Sequence, residues 1–264
     1  MKDTIQSFDN HLVPFEITGN GKPLVLLHGI GMSGKVWQNQ AEALSGQFTV
    51  ICVDLRGHGR CEDDVRDFSI SAQARDINAL LEGLDLNDVF LTGWSMGSAV
   101  AFRYLQDFSR KKRVERLGLV GAGIDFRMRG NQRREFQQWQ NLLNTDNPDW
   151  PKLFASGCLT GSSSPETRQF LERIARETGN TIILKSVACL AEEVFADLLP
   201  VLDIPVLICC GRHESERAVR AAQELDQAIS CSRLVFFEQS GHSPFLQEAE
   251  KFNREVLDFG LHSF

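Results

Sequence analysis

The sequence contains no long hydrophobic run. Nothing in its 264 residues approaches the ~18 consecutive apolar residues that a membrane-spanning helix needs. Residues 1–7 have no apolar core of the kind that a secretion signal requires. Internal repeats and low-complexity segments are absent as well. We therefore expect a cytoplasmic globular protein with no membrane span.

The chain has fewer basic than acidic residues, and its cysteines form no recognisable motif. The chain has 28 Lys and Arg against 35 Asp and Glu, a net charge of −7, so we expect no nucleic-acid partner. The seven cysteines form no CxxC pair and have no nearby histidine pattern typical of zinc. Most lie in apolar runs, which favours reduced thiols in the core. We expect neither a metal nor a cofactor.

Short apolar runs alternate with amphipathic segments of helical length. Hydrophobic residues at 42% and charged residues at 24% are ordinary for a globular protein. Alternation of this kind predicts βαβ crossovers and a mostly parallel sheet flanked by helices. Two further runs, 4–8 and 12–18, predict an antiparallel hairpin at one sheet edge. The other predicted strands are 23–27, 48–53, 89–92, 117–120, 205–210 and 233–237, and the predicted helices are 33–44, 71–84, 99–107, 216–229 and 244–259.

The alternation stops between residues 124 and 199. This stretch is polar and helical in pattern, with helices predicted at 133–143, 165–177 and 181–199. Ligands of open α/β sheets bind at the carboxyl edge of the strands, so an insertion of this size is best placed there as a cap. The predicted organisation is an α/β core formed by 1–123 and 200–264, with a helical cap at 124–199.

One stretch, residues 89–100, joins a buried strand directly to a helix through Gly93-x-Ser95-x-Gly97. A sharp strand-to-helix turn leaves no room for side chains two residues before and after its centre, and glycine supplies that room. Such a turn exposes Ser95 Oγ beside the first amides of the new helix, where an oxyanion would form. The pattern favours a nucleophile elbow, and the alternative is a tight glycine turn with an exposed serine.

Two groups follow later strands on the same sheet edge. His242 lies in Ser240-Gly241-His242-Ser243-Pro244 after the run 233–237, and Glu214 follows the run 205–210. A serine nucleophile needs a base, and that base needs an acid that holds its tautomer. The order Ser95, Glu214, His242 is that of α/β hydrolases. Asp125, which follows the strand 117–120 at the same edge, is the rival acid.

Five motifs in this order resemble the α/β-hydrolase family over nearly the whole chain. They are His28-Gly29-Ile30-Gly31, Asp54-x-Arg56-Gly57-His58-Gly59, Gly93-x-Ser95-x-Gly97, Gly211-x-x-Glu214 and Gly241-His242-x-Pro244. The resemblance implies an α/β-hydrolase fold, a serine hydrolase and an oxyanion hole made by the backbone N–H groups of Ile30 and Met96. It implies a structural role for His28. The family usually carries Asp where this chain has Glu214, and Glu reaches one methylene further.

A narrower resemblance is to the pimeloyl-ACP methyl ester esterases of biotin synthesis. It rests on 26–31 with Trp37 downstream, on Gly93-Trp94-Ser95-x-Gly97, and on Gly241-His242 with the pair 244–245. It implies a carboxylesterase whose substrate is a small-molecule or acyl-carrier-protein-linked ester. Trp94 and Gly29 are the candidates for the substrate pocket, and Trp94 fits either a pocket wall or the core.

The segment 110–134 is strongly basic. It contains nine cations and two acids, a charge of +7 within a chain of −7. It is a candidate docking surface for an acidic partner such as acyl carrier protein, with Arg129, Arg133 and Arg134 at the start of the cap. The alternative is a solvated helix face and loop.

Other activities share the same fold and the same three groups. A thioesterase or a hydrolase of C–C bonds in diketones would differ only in the shape of the cap pocket. A non-catalytic ligand receptor or scaffold of the same fold is a further alternative, because a fold does not determine a function. Serine at position 95 makes acyl transfer to water the default reaction.

Overall fold

The apolar runs form one eight-stranded sheet. We describe a computed structural model that covers residues 1–61, 65–145 and 147–262. Its strands are β1 (Lys2–Gln6), β2 (Leu12–Thr18), β3 (Lys22–Leu27), β4 (Phe48–Val53), β5 (Val89–Trp94), β6 (Val114–Val120), β7 (Val206–Gly211) and β8 (Ser232–Phe237). Their order across the sheet is β1-β2-β4-β3-β5-β6-β7-β8. The pairs β1–β2 and β2–β4 are antiparallel, and all pairs from β4 to β8 are parallel. The predicted edge hairpin and mostly parallel sheet are confirmed.

The central strands are mostly apolar because both faces of the sheet are covered. In β3, Leu24 and Leu26 pack into one hydrophobic cluster, and Val25 and Leu27 pack into the other. Successive side chains of a strand point to opposite faces, so a strand buried on both sides shows no alternation in its sequence. The seven cysteines are free thiols, and four of them are buried: Cys52, Cys158, Cys209 and Cys210.

In the described residues, ten α-helices lie on or above the sheet. They are α1 (Gln38–Leu44), α2 (Ile70–Gly83), α3 (Met96–Phe108), α4 (Asn131–Asn144), α5 (Trp150–Cys158), α6 (Pro165–Glu177), α7 (Asn180–Leu190), α8 (Glu216–Ala228), α9 (Pro244–Gln247) and α10 (Ala249–Leu261). In the part of the chain that the structure describes, no helix is long and apolar enough to cross a membrane.

Several predicted helices have different bounds in the structure. The segment 33–44 begins as a 3-10 turn, Gly34–Trp37, before α1. The predicted helix 181–199 ends at Leu190, and the predicted final helix is divided at Glu248, where the backbone leaves helical geometry with φ −127°. The sequence pattern also missed α5, a helix of nine residues between polar loops.

Serine caps define the start of three helices. Ser69, Ser164 and Ser215 each accept a hydrogen bond from the backbone N–H three residues on, at 3.1–3.2 Å. Each cap satisfies one of the four helical N–H groups that lack a partner within the helix. Helix α2 therefore begins after Ser69, and the prediction that Ser71 starts it was wrong by one residue.

The predicted cap segment enters and leaves the core at one point. Phe126 N–H donates to the carbonyl of Glu193 at 3.0 Å, and Phe195 N–H donates to the carbonyl of Ile124 at 2.9 Å. These two bonds form a short antiparallel bridge that pairs Asp125 with Val194. The bridge supports our proposal that residues 124–199 form a cap on a core made of 1–123 and 200–264.

The basic segment 110–134 does not form one surface. Residues 110–113 lie between the end of α3 and the start of β6, and Ser95 lies at the opposite end of α3. A helix of this length separates them by about 20 Å. Lys111 pairs with Glu82, Arg113 with Asp85 and Arg116 with Glu115, all near the amino end of β6. Residues 110–113 lie at the amino end of β6, and residues 121–134 follow its carboxyl end. Only residues 121–134 therefore lie at the carboxyl ends of the strands, where Ser95 is.

Two buried histidines make the fold sensitive to mild acid. His28 and His58 are 0% and 1% exposed, and their ring centroids lie 5.1 Å apart. Burial lowers the pKa of His28 from 6.5 to about 4 and, with the charge of His28, the pKa of His58 from 6.5 to about 3. Below pH 6.5 the unfolded chain therefore binds protons that the folded chain does not, and stability falls as the pH falls.

We expect the free energy of unfolding to decrease by about 2 kcal/mol per buried histidine between about pH 7 and about pH 5. Urea unfolding at the two pH values measures this decrease. In the control variant His213→Asn, which changes an exposed histidine, the same decrease should remain. Equal stability at both pH values would show that neither His28 nor His58 stays neutral in the folded protein.

Candidate active site

The parallel strands bring their carboxyl ends to one edge of the sheet. Ser95 directly follows β5, Gly121 follows β6, Glu214 lies three residues after β7, and His242 lies five residues after β8. Because β5, β6, β7 and β8 are consecutive neighbours, these residues come together although up to 147 positions separate them. The structure thus assembles Ser95, Glu214 and His242 at the predicted edge.

The turn at Ser95 has the strained geometry of an elbow. Ser95 has φ 54° and ψ −113°, and α3 begins at the next residue. A Cβ on Gly93 would lie 2.2 Å from the carbonyl oxygen of Gly97, and a Cβ on Gly97 would lie 2.4 Å from that of Leu27. Both glycines are required because the backbone passes too close for any side chain. The first N–H groups of α3, that of Met96 among them, have no partner within the helix.

His242 is held by Glu214. The distance from Glu214 Oε1 to His242 Nδ1 is 2.5 Å. Burial raises the pKa of Glu214, but the charge and hydrogen bond of His242 outweigh it, so that pKa lies below its ordinary value. The Nδ1 position therefore carries a proton that faces a carboxylate, which leaves Nε2 available as a base.

Gly121 has no side chain, so the side chains of Glu214 and His242 can occupy the space beside it. It has φ +56°, and a Cβ there would lie 2.8 Å from His242 Nδ1 and 3.4 Å from Glu214 Oε1. The close approach of β6 to the imidazole thus depends on a residue without a side chain. The sequence analysis did not single out Gly121, because only the three-dimensional packing brings it against His242.

The loop that carries His242 is fixed from two sides. Trp94 Nε1–H donates to the carbonyl of His242 at 2.7 Å, and the indole ring of Trp94 is 1% exposed. Gly241 N–H donates to Gln247 Oε1 at 2.9 Å, and Gln247 Nε2 donates to Thr160 Oγ1 at 2.7 Å. Trp94 is therefore both a core residue and a wall beside the site, and Gln247 links the histidine loop to the segment between α5 and α6.

Asp125 lies at the same edge but is engaged elsewhere. Its carboxylate accepts hydrogen bonds from Arg127 Nε at 2.9 Å, Arg127 Nη2 at 2.8 Å and Arg129 Nη2 at 2.7 Å. The side-chain hydrogen bond from Arg127 lowers the pKa of Asp125 to about 2. Of the two candidate acids, the structure brings Glu214 to His242 and leaves Asp125 with its arginines.

The imidazole of His28 orients the loop beside Ser95. His28 Nε2 accepts from Leu55 N–H at 2.9 Å, so Nδ1 carries the proton and donates to the carbonyl of Gly29 at 2.7 Å. In a trans peptide the N–H points opposite to the carbonyl, so the N–H of Ile30 points away from His28. A Cβ on Gly29 would lie 3.3 Å from that of Ser95, which places this loop against the elbow.

Two cavities meet at Ser95 and His242. The larger has a volume of about 900 Å³ and the smaller about 220 Å³. Gly29, Ile30 and Trp94 line the smaller cavity, as do Phe154 and Ile183 from the predicted cap. Among residues 1–61, 65–145 and 147–262, no cluster of three His, Cys, Asp or Glu side chains is placed to bind a metal ion.

The sequence analysis missed most of the cavity walls. Helix α4 contributes Phe136, Trp139 and Leu143, α7 contributes Ile183, Val187 and Leu190, and α8 contributes Arg217 and Arg220. Their spacing of three or four residues marks one face of each helix, so the periodicity held a signal. The periodicity could not show that one face of each of these three helices lines the same cavity.

Comparisons with known proteins agree with this architecture. A family model described as alpha/beta hydrolase fold matches residues 22–249. The AB hydrolase superfamily protein YisY of Bacillus subtilis is 29% identical over 95% of this chain and 96% of its own. The pimeloyl-[acyl-carrier protein] methyl ester esterase of Vibrio cholerae is 31% identical over 93% of this chain and 96% of its own. Among solved structures, the esterase EaEST from Exiguobacterium antarcticum has a TM-score of 0.93 at 27% identity, covering 99% of this chain and 100% of that one.

The chain therefore belongs to the α/β-hydrolase family. The predicted fold, a mostly parallel sheet flanked by helices, is confirmed by the sheet order and by the family match.

Proposed function

We propose that this chain is a serine carboxylesterase in which Ser95 is the nucleophile, His242 the general base and Glu214 the acid that orients the histidine. The contact of 2.5 Å between Glu214 Oε1 and His242 Nδ1 carries the proposal, because His242 shares both cavities with Ser95. A serine hydroxyl is a weak nucleophile at neutral pH and needs a base held in this way. The arrangement supports acyl transfer from an ester to water.

The first half-reaction forms an acyl-enzyme. His242 Nε2 takes the proton of Ser95 Oγ while Oγ bonds to the carbonyl carbon of the ester. The carbonyl oxygen becomes an oxyanion that accepts hydrogen bonds from the N–H groups of Ile30 and Met96. The bond to the alcohol oxygen then breaks, and His242 returns the proton to that oxygen. Ser95 is left acylated and the alcohol departs.

The second half-reaction repeats these roles with water. His242 takes a proton from water as the water oxygen attacks the acyl carbon, and the oxyanion forms again at the same two N–H groups. The bond to Ser95 Oγ breaks, and the proton passes back to Oγ. Glu214 stays ionised throughout, because its pKa is held low, and it stabilises the imidazolium in both steps. The net reaction converts an ester and water into an acid and an alcohol.

The chain is an esterase-type hydrolase. The Vibrio cholerae relative and the Exiguobacterium antarcticum structure, at 31% and 27% identity, are both named as esterases. The direct test of the proposed chemistry is hydrolysis of a panel of short p-nitrophenyl esters and of pimeloyl-ACP methyl ester, with Ser95→Ala as the control. A pure, folded protein that turns over none of these esters would contradict the proposal.

For the natural substrate we propose the methyl ester of an acyl chain on acyl carrier protein, as in the name of the Vibrio cholerae relative, and hence a role in biotin synthesis. Helix α4 supports this choice. Its residues Phe136, Trp139 and Leu143 line the cavity, and Arg133 and Arg134 are exposed in its first turn. The helix thus joins the cavity to a basic surface that an acidic carrier can approach.

The carrier proposal predicts a selective effect of charge reversal. The double variant Arg133→Glu/Arg134→Glu should raise KM for pimeloyl-ACP methyl ester roughly tenfold or more, because like charges would then meet at the interface. Arg129 is left unchanged because it binds Asp125. A short p-nitrophenyl ester makes no such contact, so its kcat/KM should stay close to that of the unmodified enzyme. Steady-state kinetics at several salt concentrations measure both effects, since salt screens surface charges over ~10 Å at 0.1 M.

The matched control is Arg110→Glu/Lys112→Glu. It changes the net charge by the same amount at the opposite edge of the sheet, so it should leave KM for the carrier substrate unchanged. If both double variants raise this KM equally, net charge rather than docking is responsible. Equal losses on the carrier ester and the p-nitrophenyl ester would instead indicate a damaged cap.

A further inference from the structure

Ser95 lies between two compartments of different size and chemistry. Ser95, His242, Trp139, Ile183 and Val187 line both cavities and therefore form the boundary between them. In an ester, the acyl group and the alcohol group extend in different directions from the carbonyl carbon that Ser95 attacks. Two compartments on either side of Oγ therefore separate the two halves of a substrate.

The small compartment accepts only a compact, uncharged group. We use this name for the cavity of about 220 Å³, which is below the ~300 Å³ of ordinary ligand pockets. Apart from His242, every residue that lines it is uncharged, and most are apolar: Gly29, Ile30, Trp94, Ser95, Trp139, Phe154, Cys158, Ile183 and Val187. Burying a charged group there would leave the charge without a partner, which is costly.

The large compartment combines an apolar wall with a rim of arginines. We use this name for the cavity of about 900 Å³. Its apolar wall comes from α4 and α7. Four arginines also line it, two after β6 and two on α8: Arg127, Arg129, Arg217 and Arg220. The lining has two acids, Asp125 and Glu224, so four cations and two anions give the compartment a charge of +2.

The arginines of α8 are the ones placed to receive an anion. The carboxylate of Asp125 binds Arg127 and Arg129. Among the described residues, Arg217 donates to the backbone carbonyl of Asp125 alone, at 3.0 Å, and no described carboxylate pairs with its charge. Arg220 is exposed and forms no ion pair with a described residue. The two residues are three positions apart on one helix and hence on one face.

We propose that the large compartment binds an acyl chain that ends in an anionic oxyacid group, with Arg217 and Arg220 as the anion site and the small compartment holding a short alcohol such as methanol. This inference rests on the proposed esterase function and extends it to a substrate class. An apolar chain matches the wall from α4 and α7, and guanidinium groups bind carboxylate or phosphate oxygens through paired N–H donors. The anion can be the carboxylate of a dicarboxylic acid monoester or the phosphate of a carrier's prosthetic arm.

The experiment compares methyl esters that differ only in the far end of the acyl chain. One series is monomethyl esters of dicarboxylic acids, and the other is methyl esters of monocarboxylic acids of matched length. We expect kcat/KM to favour the dicarboxylic series roughly tenfold or more, because hydrogen bonds to charged groups are the stronger kind. A methyl ester on a phosphopantetheine arm without the carrier protein tests the phosphate source.

Substitutions on α8 locate the anion site. The double variant Arg217→Gln/Arg220→Gln should abolish the preference, with a much larger loss of kcat/KM for the dicarboxylic monoesters than for the neutral methyl esters. Glu224→Gln removes an acid from the same rim and should increase the preference. Arg254→Gln, at an exposed arginine of α10 outside both compartments, is the matched control and should change nothing.

Each outcome separates this inference from the esterase proposal. Equal kcat/KM for the two series would overturn the anion site and leave the esterase standing. A preference for acetate esters of ω-hydroxy acids, in which the anion lies on the alcohol side, would overturn the assignment of the two compartments. If no ester is hydrolysed, binding of the two series of methyl esters to Ser95→Ala by calorimetry decides the matter: tighter binding of the dicarboxylic monoesters supports the anion site, and equal binding overturns it.

Discussion

Ser95→Ala should lower kcat for a short p-nitrophenyl ester by roughly 10³-fold or more, and His242→Ala should have a similar effect, because the members of a catalytic triad act as a unit. The fold should be unchanged in Ser95→Ala. Alanine keeps the Cβ of Ser95 and its backbone geometry, and the described contacts of Ser95 are backbone hydrogen bonds with Val120 and Ser98. Steady-state kinetics and thermal unfolding measure the two quantities.

Ser98→Ala provides the matched control for this prediction. Ser98 lies one helical turn beyond Ser95, and its hydroxyl donates to the carbonyl of Gly93 at 3.0 Å. Its loss should cost about 1 kcal/mol of stability and leave kcat close to that of the unmodified protein. A fluorophosphonate probe should label the unmodified protein and Ser98→Ala but not Ser95→Ala. Turnover by Ser95→Ala near the normal rate would exclude Ser95 as the nucleophile.

Glu214→Gln should lower kcat by roughly 10²- to 10⁴-fold, because a neutral amide does not stabilise the imidazolium or hold its tautomer. Asp125→Asn should change kcat by no more than a few-fold on the same substrate. The reason is the geometry, since Glu214 Oε1 contacts His242 Nδ1 and the carboxylate of Asp125 binds Arg127 and Arg129.

The substrate for this comparison must be short and uncharged. Asp125 lies in the rim of the large compartment, and Asp125→Asn would release arginines that attract anionic esters. With p-nitrophenyl acetate the two variants report on the acid alone. A larger loss in Asp125→Asn than in Glu214→Gln would transfer the role of the acid to Asp125.

Much of the site could be predicted because its signals are local. The elbow at Ser95 depends on the strain of a single turn, and Gly93 and Gly97 mark that strain in the sequence. The apolar runs of β3, β5 and β7 indicate strands covered on both faces, and parallel strands end at a common edge. Ser95, Glu214 and His242 could thus be placed on one edge from their positions after these strands.

The choice between Glu214 and Asp125 was beyond the sequence. Both follow a strand of the parallel sheet, so both reach the same edge. The structure separates them through the irregular segment after β6, which folds back so that the arginines two and four residues on bind Asp125. No periodic pattern encodes the geometry of such a segment.

The interpretation of residues 110–134 as one basic surface was wrong, because residues that are close in sequence lie far apart in the structure. Residues 110–134 read as one cationic surface, but β6 carries the chain across the sheet and divides them between its two edges. In turn, Arg217 and Arg220 join Arg127 and Arg129 around one cavity although about 90 residues lie between the pairs.

By itself, the sequence determined the strands, most helices, the parallel sheet edge and the candidate residues for the proposed chemistry, because these depend on the backbone preferences of short segments. Only the tertiary structure decided which acid contacts His242, which helix faces enclose the cavities and where the basic residues lie. Those features depend on how distant segments pack, and packing is set by the whole set of contacts rather than by any one stretch of chain.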